Sequence, residues 1–324
     1  MAYVDIPLVQ DLGGVHVIDT QHVGIKGTVC VYLLPGKRGQ FALLETGPSS
    51  TLPTVKQGIA EAGFELANLT SILVTHIHLD HAGAAGALAK ETGAKVYVHE
   101  RGAPHLHDPS RLMQSATRIY GDKMETLWGD MTPIPREQLE TLSGGETLQI
   151  LNRELRVIYT PGHASHHVTY QLDDGAMFTG DVAAVHLTGS SVIRPALPPP
   201  EIDLETWAAS IDKLIAAKPT RLFLTHFGEV EDAVAHLRSV PERNRNWAKV
   251  ILEGMQAGEE SEALVERIAA HGNAELAASN TPPEVAARHR HTSNYEMTVT
   301  GVVRYWTKHH PEKVGGQGPG VGEQ

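Results

Sequence analysis

Thr75-His76-Ile77-His78-Leu79-Asp80-His81 is the stretch on which the reading of this chain turns. It places four potential metal ligands between residues 76 and 81, directly after the apolar run Ile72-Leu73-Val74. Ala82-Gly83-Ala84-Ala85-Gly86-Ala87-Leu88-Ala89 follows and reads as a closely packed helix. A strand ending in a ligand-rich loop that leads into a helix holds side chains rigidly and leaves one face of a metal open.

Upstream, Val15-His16-Val17-Ile18-Asp19, Thr28 to Leu34 and Phe41-Ala42-Leu43-Leu44 are β-rich, with a Pro35-Gly36 turn before the third. They predict an antiparallel sheet. Leu52, Val55, Ile59 and Ala62 recur at helical spacing, and Gly63 ends that helix. The strand at Ile72, the ligand loop and its helix come next, then the strand Lys95-Val96-Tyr97-Val98-His99. Strand, helix, strand in succession implies helices layered on a sheet.

Residues 104–142 break that rhythm. Tyr120, Met124, Leu127, Trp128 and Met131 predict a helical insert, either a packed connection or a lid over the site. Strands resume at Thr147-Leu148-Gln149-Ile150 and Leu155 to Tyr159, which runs into Thr160-Pro161-Gly162-His163. The hairpin 167–181 turns at Asp173-Asp174-Gly175 and ends in Gly180-Asp181. Asp203 is placed to cap a helix whose apolar face is Leu204, Trp207, Ile211, Leu214 and Ile215. Arg221-Leu222-Phe223-Leu224 then delivers Thr225-His226. Beyond residue 228 strand signals stop. Residues 229–310 read as an all-helical appendage, and 311–324 as a disordered tail.

The 27 basic and 38 acidic residues give a net charge of −11, with no basic run, which argues against nucleic acid as a partner. The single Cys30 cannot form an internal disulfide and falls within a strand, which suits a core role and a reducing cytoplasm. No signal peptide and no membrane-length apolar run is legible, so a cytoplasmic protein acting on a small molecule away from the membrane is expected. The apolar stripes of the appendage suggest a homodimer.

Seven side chains stand at or just past strand ends: His76, His78, Asp80, His81, His163, Asp181 and His226. A lone loop histidine is usually just a hydrogen-bonded residue. Imidazoles and a carboxylate packed as densely as His-x-His-x-Asp-His need a cation to be stable. These ligands suit Zn, Fe, Mn or Co better than Mg or Ca.

The set His76-x-His78-x-Asp80-His81, Gly162-His163, Gly180-Asp181 and Thr225-His226 resembles the metallo-β-lactamase superfamily over roughly residues 15–228. The resemblance implies a four-layer αββα sandwich of α+β class, two sheets back to back with helices outside. It further implies two divalent metal ions, most often Zn, with Fe or Mn as alternatives. His76, His78 and His163 would hold one; Asp80, His81 and His226 the other; Asp181 would bridge them. Glu45-Thr46-Gly47 stands where the family carries Asp-Thr-Gly, and Glu45 is expected to orient a ligand or its loop.

The chemistry that follows is attack by a bridging hydroxide on a small ester, thioester, lactone or phosphoester. Asp181 would fix the metal pair, and Asp80 would also shuttle a proton. The helices after His226 resemble the arrangement in glyoxalase II-like hydrolases. Two alternatives share the fold: a persulfide dioxygenase-like enzyme holding one iron through two His and one Asp, and a non-catalytic metabolite sensor. Tyr120, Trp128, Tyr295 and Trp306 are candidate pocket aromatics, with His105 and His107 as further candidates. His22, His166 and His167 are not read as ligands, and His289, His291, His309 and His310 read mostly as solvated.

Overall fold

In the computed structural model, residues 5–314 are described. Among them, thirteen strands form two sheets. The first has strands in chain order: β1 (Val9–Asp11), β2 (His16–Asp19), β3 (Cys30–Pro35), β4 (Phe41–Leu44), β5 (Leu69–Leu73), β6 (Lys95–His99) and β7 (Leu139–Leu142). The second comprises β8 (Thr147–Ile150), β9 (Arg153–Tyr159), β10 (Val168–Leu172), β11 (Met177–Phe178), β12 (Leu222–Leu224) and β13 (Gly228–Val230). The early strands pair antiparallel, whereas β4, β5, β6 and β7 run parallel. Parallel neighbours need crossovers. Those are α1 (Leu52–Glu61), the pair α2 (Leu79–Ala82) and α3 (Ala85–Thr92), and, between β6 and β7, the helices of the insert.

Alternation along β3 and β4 builds the layers. Val31, Leu33, Phe41 and Leu43 pack toward the helices of the first sheet. Cys30, Tyr32, Leu34, Ala42 and Leu44 face Leu155, Val157, Val168, Tyr170 and Phe223 of the second sheet. Both faces are buried, so these strands read as unbroken apolar runs. Cys30 is fully buried between the sheets, and burial pushes its thiol up to about 12. The outer face of the second sheet carries α7 (Leu204–Ala216), capped as expected by Asp203 accepting from the Thr206 amide at 2.8 Å. The result is the αββα sandwich.

The insert holds α4 (Ala103–His107), α5 (Ser110–Tyr120) and α6 (Met124–Leu127), but its end, Leu139–Leu142, is the edge strand β7 rather than helical connection. The appendage holds α8 (Ala233–Gln256), α9 (Ser261–Ala278), α10 (Pro283–Thr292) and α11 (Tyr295–His309). It starts later than residue 229, because Glu229 and Val230 belong to β13, which pairs with β12. A three-residue edge strand is too short to show a period, and α10, which starts at Pro283, is largely polar and carries no apolar stripe. Pro311–Val314 forms a helical turn, α12, where a disordered tail was expected; the rest of that tail lies outside the described residues.

The appendage's stripes, among them Trp247, Ile251, Leu264, Ile268, Val302 and Trp306, are buried in one cluster with α7. That burial within a single chain accounts for the stripes that suggested a homodimer. Arg194 is its polar fastening. It is fully buried, donates to Gly272 O at 2.6 Å and Tyr295 Oη at 3.0 Å, and lies over the Trp247 ring at 5.4 Å.

Candidate metal centre

All seven predicted site residues converge. They lie past the ends of β5, β9, β11 and β12, so both sheets contribute. His76, His78, His163 and Asp181 form one group of potential ligands; Asp80, His81 and His226 form a second, with donor atoms within 4.8 Å of one another in each. Glycine makes two of the approaches feasible. Gly162 has φ +135°, and a Cβ there would lie 2.3 Å from the Trp207 Cα. Gly180 has φ +49°, and its Cβ would meet Thr75 Oγ1 at 2.3 Å.

Asp181 stands between the groups with one oxygen toward each. Its Oδ2 lies 3.3 Å from His163 Nε2 and 4.0 Å from His76 Nε2. Its Oδ1 lies 3.3 Å from His81 Nε2 and 3.4 Å from His226 Nε2. Asp80 Oδ2 is 3.4 Å from the same His226 nitrogen. His78 Nδ1 sits 2.9 Å from His76 Nε2 and 3.0 Å from His163 Nε2.

Oxygens outside the cluster hold the opposite ring nitrogens. The Nδ1 atom of His163 meets Ala196 O at 2.9 Å, and that of His226 meets Thr28 O at 2.8 Å. His76 Nδ1 lies 3.0 Å from Thr75 Oγ1, which donates to Glu45 Oε1 at 2.5 Å. The same Glu45 oxygen lies 3.3 Å from His81 Nδ1. A backbone carbonyl can only accept, so Nδ1 of His163 and His226 carries the proton and Nε2 offers its lone pair inward. Glu45 thereby serves two histidines, a role that its sequence position alone does not define.

This donor set fits cations. Three imidazole nitrogens converge within about 3 Å, and His81 Nε2 and Asp181 Oδ1 are buried with no hydrogen-bond partner. Burial holds His76 well below the usual histidine range and His78 at about 3, neighbouring imidazoles adding to both, so both are neutral. Burial also opposes charge on His81, but Asp181, Asp80 and Glu45 outweigh it and raise its pKa.

A cavity of about 770 Å³ opens over the cluster, reaching His78, Asp80, His163, Asp181 and His226. Tyr120 and Trp128 line it as the sequence allowed, and α5 forms a wall that also packs on the core through Leu112 and Met113. Tyr295 and Trp306 do not; they pack against the Trp247 cluster. His105 and His166 line the cavity, while His107 is held by Ile134 O at 3.0 Å and His167 by Thr160 Oγ1 at 2.9 Å. Two expectations of solvated histidines need correction. His289 is fully buried, and His291 lines the cavity 5.4 Å from the ring of His22. Helix α10 carries both inward, and that helix was not legible.

Two back-to-back sheets with a His/Asp cluster at one edge define an αββα protein with a potential metal site. Residues 25–226 match the metallo-beta-lactamase superfamily, and the chain belongs to it. Members of this superfamily bind metal ions and are mostly metal-dependent hydrolases. A metallo-beta-lactamase fold-containing protein of Sulfurisphaera tokodaii is 29% identical over 251 residues, covering 76% of this chain and 91% of that one. The chain is 24% identical over 254 residues to an atrochrysone carboxyl ACP thioesterase of Aspergillus fumigatus, covering 74% of this chain and 68% of the thioesterase. The crystal structure of a metallo-beta-lactamase family protein of Thermus thermophilus shares the fold at TM-score 0.64 and 22% identity, over 91% of this chain and 94% of that one. Among the described residues no helix is long and apolar enough to cross a membrane.

Proposed function

We propose that this chain is a dinuclear metal-dependent hydrolase of a small ester or thioester. His76, His78 and His163 would hold one cation, Asp80, His81 and His226 the other, and Asp181 would serve both. The observation that carries this reading is the split of Asp181, one oxygen toward each histidine group at 3.3 Å. Divalent cations bound there would lower the pKa of a water from about 15.7 toward about 7, and would supply a nucleophile and a charge for the oxyanion.

The chain's own residues do the remaining work. Thr75, Glu45, Ala196 O and Thr28 O lock the rings so that no reorganisation is needed during the reaction. Asp80 is the one ligand carboxylate with appreciable exposure, 22% of its side chain, and it opens on the cavity. Burial works to raise its pKa, but His81 and His226 hold it below the usual carboxylate range. Its place on the cavity, rather than its pKa, is what suits it to relay the attacking water's proton to the departing alcohol or thiol. The thioesterase relative supports an acyl substrate. An intact second group, Asp80, His81 and His226, favours two cations over the single-iron dioxygenase reading.

Metal analysis with a panel of ester, thioester, lactone and phosphoester substrates tests the proposal. Two metals per chain with acyl turnover support it, and His81→Ala should bring metal content toward one per chain and abolish most turnover. One iron with thiol-dependent oxygen uptake, or two metals with no turnover across the panel, overturns it.

A further inference from the structure

The charges around the cavity run against those of the chain. The protein carries a net −11, yet outside the ligand cluster the cavity is lined by Arg101, Arg111 and Arg290 against one carboxylate, Glu201. Glu201 is engaged by Ser165, whose amide and hydroxyl donate to its Oε2 at 3.1 and 2.6 Å. None of the three guanidinium groups donates to a carboxylate among the described residues, whereas Arg243 and Arg267 pair with Glu275 and Glu259. Unpaired guanidinium groups above a cationic centre create a field that attracts and orients anions.

The wall beside them is apolar. Leu112, Ala116, Ile119 and Tyr120 lie at helical spacing along α5 and all line the cavity. Ile119 is 49% exposed, one of two large hydrophobic side chains left so open among the described residues. An isolated exposed isoleucine needs no explanation, but one that continues an apolar stripe into a cavity does. Arg111 is the second residue of the same helix, just before Leu112, and Arg290 comes from the end of α10.

We infer that the preferred substrate is an acyl ester or thioester with an apolar chain and an anionic terminus, and that Arg111 and Arg290 select that terminus. The inference rests on the hydrolytic reading above for the reaction, and on the cavity alone for the anion. It assigns substrate choice to the insert and the appendage, which each supply one arginine, rather than to the ligand loops.

Two measurements on the metal-loaded full chain test it separately from hydrolysis. The first is calorimetric binding of octanesulfonate, an amphiphile whose anion coordinates divalent cations poorly, against octanol. Octanesulfonate should bind more tightly, and Arg111→Gln and Arg290→Gln should each weaken it about tenfold, as loss of a charge-assisted hydrogen bond does. The second compares kcat/KM for an adipoyl thioester with a free carboxylate and for its methyl ester. The preference for the acid should fall about tenfold in either variant, through KM. It should stay unchanged in Arg118→Gln, which is exposed on α5 but does not line the cavity. Turnover of both thioesters with no preference, or octanesulfonate binding indifferent to both arginines, overturns the inference and leaves hydrolysis standing. Arginine-dependent octanesulfonate binding with no thioester turnover supports the anion site and removes the hydrolytic reading.

Discussion

Glu45 Oε1 lies 3.3 Å from His81 Nδ1, at the opposite ring nitrogen from the one that faces Asp181. The Nδ1 makes no hydrogen bond, but a carboxylate beside it favours a proton there and raises the basicity of the inward nitrogen. Glu45→Gln keeps the length and an oxygen for the Thr75 hydroxyl but removes the charge. The expected outcome is roughly 10–100-fold weaker binding of the second metal, with the first much less affected. Competition against a chelator, read as two separate occupancies, checks it.

Arg194 reaches the metal centre through the backbone. Two residues further on, Ala196 O holds His163 Nδ1, while the Arg194 side chain is fastened to α9 and α11. Arg194→Met leaves Gly272 O and Tyr295 Oη without their donor and is expected to cost about 2–4 kcal/mol of stability. Urea unfolding measures that loss. Chelator competition should also show the first metal weakened more than the second.

Gly162→Ala meets a backbone that cannot yield. The added methyl would lie 2.3 Å from the Trp207 Cα, at a φ of +135° that alanine resists. A loss of more than about 3 kcal/mol is expected from strain and overpacking together. Thermal unfolding of the chelated protein reads it without interference from metal.

His236 ties α8 to the turn that carries Asp181: its Nε2–H donates to Ala183 O at 2.7 Å. Burial, with His186 and Arg243 facing it, pushes its pKa down to about 4 from an ordinary 6.5. The unfolded chain therefore takes up this proton first, and stability is lost as pH falls from about 6.5 toward 4. His236→Gln keeps a donor but does not titrate. Between pH 7 and 5 the chelated variant should lose about 1–2 kcal/mol less than the native protein in urea unfolding.

The ligand loops were legible because each carries its signal locally: a β-rich run, then a histidine or aspartate within a few residues. The sandwich was legible for a related reason, since strands such as β3 bury both faces and show it as apolar runs. What stayed hidden depends on distant partners. The orienting role of Glu45 was expected, but its partners show only when Thr75 and His81 fold against it. Arg194 looks like any loop arginine until Trp247 and Tyr295 close around it. The inward histidines of α10 were missed because that helix, which starts at Pro283, is largely polar and carries no apolar stripe of the kind that marks its neighbours. β13 is simply too short to carry a pattern.

Because the cluster draws His76 through His81 from one sheet and His163, Asp181 and His226 from the other, no fragment of the chain owns it. A nascent polypeptide stalled before β12 lacks His226 and cannot complete the second group, however well its first sheet has formed. Any cation that needs all seven groups can thus be bound only once both halves have found each other.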